Sequence, residues 1–209
     1  MMDFSQSRWV KYAVMHPFEG FEDMRWKKAG SLKLMGGILL LWFVGTILQD
    51  RFYGFQFHAV PDKLFNIVPY IVRTLVLFLT WVVGNWAVCT LLDGEGSMRN
   101  IAVYSSYALV PYVAGLYIEV FLSHILIRDE SVFLQAVTVI STLWTAVLLF
   151  SAIRSVHQYS PAKTVLAIAL TIAAMLIILF LLVLLLSLFQ QVYVFGYSLL
   201  TELIYRLKV

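Results

Sequence analysis

Charge is what this sequence has least of. Asp, Glu, Lys and Arg make up 13% of its 209 residues, against about 25% in soluble globular domains. Cysteine is nearly absent too: Cys89 stands alone, which excludes an intrachain disulfide and a cysteine-based zinc site. The four histidines, His16, His58, His124 and His157, are isolated from one another, and no H-E-x-x-H pattern occurs. Neither a G-x-S-x-G elbow, a Gly-rich phosphate loop nor a Cys–His neighbourhood is found. Glycines such as Gly36, Gly37, Gly45 and Gly84 fit close helix packing instead. The sequence therefore gives no ground for an enzyme, a metal or a cofactor. An enzyme acting on lipid is the last of the readings, for want of a nucleophile.

What is present is apolar. Hydrophobic residues make up 61% of the chain and the mean hydropathy is +0.86, which excludes a disordered chain and points to an integral membrane protein. Five runs approach the ~17–25 residues that a bilayer helix needs: 34–48 (extended toward Ser31), 69–92, 102–127, 132–153 and 165–189. Continuous runs of this length indicate helices, because a barrel would show alternating segments of ~10 residues. The expected fold is all-α, a bundle of five transmembrane helices (31–190) between an N-terminal tail (1–30) and a C-terminal amphipathic helix (191–209). Pro111 is expected to kink the third span and free a carbonyl near position 107.

The net charge of +3 is unevenly placed. Arg8, Lys11, Arg25, Lys27, Lys28 and Lys33 all precede or open the first span, a pattern of cytoplasmic juxtamembrane charge rather than a nucleic-acid footprint. With Arg99, Arg154 and Lys163 they fall on one side, and Arg51, Lys63, Arg73, Arg128, Arg206 and Lys208 on the other. The dense group beside the first span puts the N-terminus in the cytoplasm and, after five spans, the C-terminus outside. Residues 1–30 hold Asp3, Glu19, Glu22 and Asp23 and no apolar core of a secretory signal, so the first run is expected to serve as a signal anchor.

Both flanks have helical signatures. Pro17 suits a first turn, Glu19, Glu22 and Asp23 favour its N-terminal end, and Arg25, Lys27 and Lys28 its C-terminal end. Phe18, Phe21 and Met24 form an apolar stripe, expected to lie on the inner membrane surface. Near the other terminus Leu199, Leu200, Leu203, Ile204 and Leu207 share one face, opposite the Glu202–Arg206 pair. Phe18, Phe21, Leu200, Leu203, Ile204 and Leu207 are the candidate docking residues. The loop at 49–68 is rich in Phe and Tyr and is expected at the outer headgroup level, where aromatic belts are common, a partner-binding loop being the alternative.

Two charges inside the spans stand out, because a charge at the bilayer centre costs at least ~2.5–3.5 kcal/mol. Glu119 and Arg73 share a depth, roughly 7–11 Å to the outer side at ~1.5 Å per residue. Pairing would neutralise both and lock two helices. A polar pathway continuing through His124 is the functional alternative, and Arg73 snorkelling alone is a third.

Four segments carry a resemblance: His16-Pro-Phe-Glu-Gly-Phe-Glu-Asp-Met-Arg-Trp26, Leu92-Asp-Gly-Glu-Gly-Ser-Met-Arg-Asn100, Tyr104-Ser-Ser-Tyr-Ala-Leu-Val-Pro-Tyr112 and Val156-His-Gln-Tyr-Ser-Pro-Ala-Lys-Thr164. In order and spacing, from about residue 15 to 190, the chain resembles bacterial members of the Yip (Ypt-interacting protein) family. The resemblance implies five spans, a cytosolic N-terminus and a bacterial cell membrane location. Eukaryotic relatives bind prenylated Rab-type GTPases, but this chain lacks their Asp-Leu-Tyr-Gly-Pro motif and longer N-terminal domain, and Ser106 stands where a Gly often precedes the Tyr. Rab binding is therefore not implied. Bacterial relatives are often encoded near carbohydrate importers of the ATP-binding-cassette class. The expected function is a non-catalytic scaffold or accessory subunit of a larger membrane complex, the permease subunits of such an importer being the partner that the resemblance brings. A small transporter using Glu119, Arg73 and His124 is the alternative, weakened by the lack of an internal repeat. Membrane shaping by the flanking helices is a third reading, and homo-oligomerisation is left open.

Overall fold

The computed structural model describes residues 6–57 and 65–207. His58, Pro61, Lys63 and Lys208 lie outside them. The described residues form helices and turns: α1 (Gln6–Met15), α2 (Pro17–Trp26), α3 (Leu32–Arg51), α4 (Val68–Leu91), α5 (Met98–Ala108), α6 (Val110–Ser123), α7 (Ser131–His157) and α8 (Pro161–Leu207). Five segments are long and apolar enough to cross a membrane: α3, α4, α5 with α6, α7 with its preceding 3-10 turn, and α8.

The third span breaks at Leu109, two residues before Pro111. Proline supplies no N–H and its ring crowds the preceding turn. The backbone at the break is satisfied from outside the span, as the Tyr112 N–H donates to Thr145 Oγ1 of α7 at 3.1 Å. In α4 a π turn at Val72–Val76 widens the helix. α7 ends where Gln158 takes a left-handed conformation, φ 56° and ψ 39°, a common way to stop a helix and turn the chain.

The spans run up and down between two ends of the bundle. α3 lies against α5 and α6, α7 against α5 and α6, and α4 against α8. The core gathers around α5, where Ile101, Tyr104 and Tyr107 are fully buried. The Trp81 indole donates to Ser105 Oγ at 3.0 Å, tying α4 to α5.

Pro17 does open a helix, but α2 does not lay its stripe on lipid. It packs against α1 and the end of α7, and Phe21 and Met24 are completely buried, Phe21 6.0 Å from the Tyr104 ring. Only Phe18 of the stripe is exposed. Removing Phe21 from water is worth roughly 1.5–3 kcal/mol, and the bundle rather than the membrane surface takes this face.

The C-terminal face predicted as a separate helix is instead the continuation of the fifth span. α8 is one helix of 47 residues, about 70 Å long at ~1.5 Å per residue, against a hydrocarbon core of about 30 Å. It buries Thr164, Ala167 and Thr171 and nothing further along. No proline follows Pro161 in this stretch to stop it. Leu200, Leu203, Ile204 and Leu207 are exposed.

Candidate functional site

Three of the four segments noted in the sequence, with Asn85 of α4, meet at the end of the bundle that carries α2. Carbonyls in the last turn of α7 have no partner within their own helix. Arg25, in the last turn of α2, reaches them: its Nη1 donates to Ser155 O at 2.8 Å and to Val156 O at 2.7 Å. Its Nη2 forms an ion pair with Glu95 in the loop between α4 and α5. A planar guanidinium with five donors suits this triple role, and a cation is favoured at a helix C-terminus.

Beneath it lies His157, only 2% exposed. The Gly96 N–H donates to His157 Nδ1 at 3.3 Å. Nδ1 is thus the acceptor, and Nε2 carries the proton that it donates to Asn85 Oδ1 at 3.2 Å. Asn85, fully buried in α4, passes its Nδ2–H to Thr171 Oγ1 of α8 at 3.1 Å, and Thr171 donates to Ala167 O at 2.7 Å. One directed hydrogen-bond chain therefore joins the 92–97 loop, α7, α4 and α8. Glycine is required where the loop meets it, because a Cβ at Gly96 would stand 2.6 Å from His157 Cε1.

Tyr159 closes the knot. Its ring stacks on His157 at 5.2 Å, and its hydroxyl donates toward Cys89 O at 3.1 Å and Leu92 O at 3.3 Å. Burial pushes the Tyr159 phenol above its ordinary value, with further raising influences from Cys89 and Asp93. Lys163 Nζ sits 4.6 Å over the ring.

The intramembrane charges are arranged differently from the expected pair. Glu119 is 4% exposed, but its carboxylate accepts from Gln49 Nε2 of α3 at 2.9 Å and from the Thr138 hydroxyl of α7. Among the described residues no ion pair joins it to Arg73. The buried positions of α4 here are Tyr70, Thr74 and Phe78, four residues apart, and Arg73 is off that stripe and exposed. His124 is exposed at the end of α6 with its Nδ1 2.8 Å from Val120 O. The structure thus does not bring Arg73, Glu119 and His124 together. At this same end the Tyr70 hydroxyl donates to Asp50, and Arg51 Nε to Tyr70 Oη at 3.3 Å.

Sequence reasoning passed over the Asn85–His157–Thr171 relay. Its signal was present, as three polar residues set in or beside apolar runs of three different spans, and such residues find each other across helices. The knot offers hydrogen-bond donors and acceptors that are mutually satisfied. It lacks a paired nucleophile and base, and no cluster of His, Cys, Asp or Glu suited to a metal occurs among the described residues.

No curated protein and no solved structure matches the chain significantly. A family model does: the Yip1 domain, over residues 12–198. That range takes in the α2 end, the knot and all five crossing-length helices, and the chain belongs to the Yip family of membrane proteins.

Proposed function

We propose that the chain is a non-catalytic membrane scaffold, an accessory subunit that packs laterally on another integral membrane protein. The observation that carries this reading is α8. A helix of 47 residues that buries only Thr164, Ala167 and Thr171 leaves a long apolar flank without protein neighbours. Beyond the ~30 Å that lipid covers, exposed leucines favour association with a partner over water. Leu200, Leu203, Ile204 and Leu207 form the docking face; Phe21 has no part, being interior, and Phe18, exposed at the opposite end, faces lipid. The partner class is the permease of a carbohydrate importer, which comes from the family resemblance. The membrane is that of a bacterial cell, with the N-terminus cytoplasmic, following the basic residues around the first span.

Purification in mild detergent tests the reading. A second membrane protein is expected to accompany the chain, and to be lost when Leu200 and Leu203 are both changed to Asn. A chain that runs alone from its native membrane overturns it. The transporter alternative has less behind it: among the described residues no ion pair joins Arg73 to Glu119, whose carboxylate is held by Gln49 and Thr138.

A further inference from the structure

A polar cavity of about 100 Å³ lies between α2 and the last turn of α7. Phe18, Glu22, Arg154, Ser155, Gln158 and Tyr159 line it. Ser155 is 7% exposed, and its hydroxyl has no hydrogen-bond partner. Native interiors rarely leave a buried hydroxyl unpaired, and each case asks for a missing partner. The two charges at the cavity are unspent as well. Arg154 and Glu22, both exposed, form no ion pair among the described residues. Gln158 spends its amide N–H on Ser155 O at 3.0 Å, which leaves its carbonyl oxygen available.

From this arrangement we infer that the cavity holds the headgroup of a zwitterionic membrane phospholipid of the ethanolamine type. The guanidinium of Arg154 and the hydroxyl of Ser155 supply donors for a phosphate. The Glu22 carboxylate and the Gln158 carbonyl supply acceptors for a primary ammonium. A simple anion would face Glu22, and a simple cation would face Arg154 with Lys163 behind Tyr159. Only a group carrying both charges satisfies both sides. Position selects a lipid as its source: the cavity sits where α7 ends at His157 and α8 begins at Pro161, the level at which crossing helices meet headgroups.

The test uses the full chain, stripped of lipid in detergent, with phosphatidylethanolamine and phosphatidylglycerol of identical acyl chains, read by native mass spectrometry. The wild type is expected to retain the ethanolamine lipid about tenfold better, the worth of one charge-assisted hydrogen bond. Ser155→Ala should lower that retention by a similar factor while the melting temperature of the lipid-free protein stays level or rises, since no bond is lost in the empty cavity. Arg154→Gln should weaken both lipids together. Glu22→Gln should erase the preference between them. Both of these side chains are exposed, so these variants keep the test open if Ser155→Ala misfolds. Equal retention of the two lipids by the wild type would overturn the inference, as would retention that Ser155→Ala and Arg154→Gln leave unchanged. Displacement of the lipid by millimolar soluble phosphoethanolamine would overturn the lipid source and leave a soluble phosphate ester in its place.

Discussion

The α2 end of the bundle and the far half of α8 are built on opposite terms. At the α2 end Arg25, Asn85, His157, Tyr159 and Thr171 each have protein partners, and five segments (α2, α4, the 92–97 loop, α7 and α8) are tied by them. Along α8 beyond Thr171 no residue is buried, and among the described residues the one ion pair there is Arg206 with Glu202 one turn away on the same helix. A chain with few charges has spent them unevenly. The knot holds the bundle together, whereas the shaft contributes little to the isolated fold and is free to meet something else.

Removing Arg25 should have the largest effect. Arg25→Ala leaves Val156 O and Glu95 without their donor and Ser155 O with Gln158 alone, and should cost about 3 kcal/mol. Arg206→Ala, which removes an exposed pair, should cost under about 0.5 kcal/mol. Chemical or thermal unfolding in detergent, followed by circular dichroism, separates the two. Asn85→Leu comes next: it leaves the His157 Nε2–H without its acceptor and removes the donor to Thr171 Oγ1, and a loss of about 2 kcal/mol is expected. On the shaft, Leu200→Asn with Leu203→Asn should leave the unfolding midpoint of the isolated chain almost unmoved, by the same measurement, because surface changes stay within about 0.5 kcal/mol.

A further expected effect is one of pH. Because burial raises the folded-state value of Tyr159 above its unfolded one, its neutral form adds stability that is complete below about pH 10. That stability is lost as pH rises from there through the folded value. Tyr159→Phe should cost about 1 kcal/mol at neutral pH, through Cys89 O and Leu92 O. It should also flatten the alkaline limb of the stability profile. An alkaline limb identical in the two proteins would remove Tyr159 from the account.

Run length alone located the five crossing helices, because nothing but a helix satisfies so long an apolar stretch in lipid. The α2 helix was equally legible from Pro17 and its charge order. What Phe21 touches was not, since an apolar stripe fits a protein groove and a bilayer equally well, and only the packing of α2 on α7 decides between them. Glu119 shows the same limit for polar groups. Seeking an opposite charge leads to Arg73, whereas a buried carboxylate is satisfied by neutral donors such as Gln49 and Thr138 when geometry brings them close. Arg25 read as one more basic flank residue. Its role depends on the end of α7, 130 residues away in sequence. In the tail the amphipathic face was visible, but the break before it was inferred from composition, and no residue there terminates the helix.

On the proposed function the α8 shaft is a docking surface and the α2 knot is not. A photo-reactive residue placed at Leu200, and in a second protein at the exposed Phe18, can be irradiated in the native membrane. At Leu200 a discrete adduct with a different membrane protein is expected, and at Phe18 a lipid adduct. An adduct only with lipid at Leu200, or only with a second copy of the chain, would contradict it.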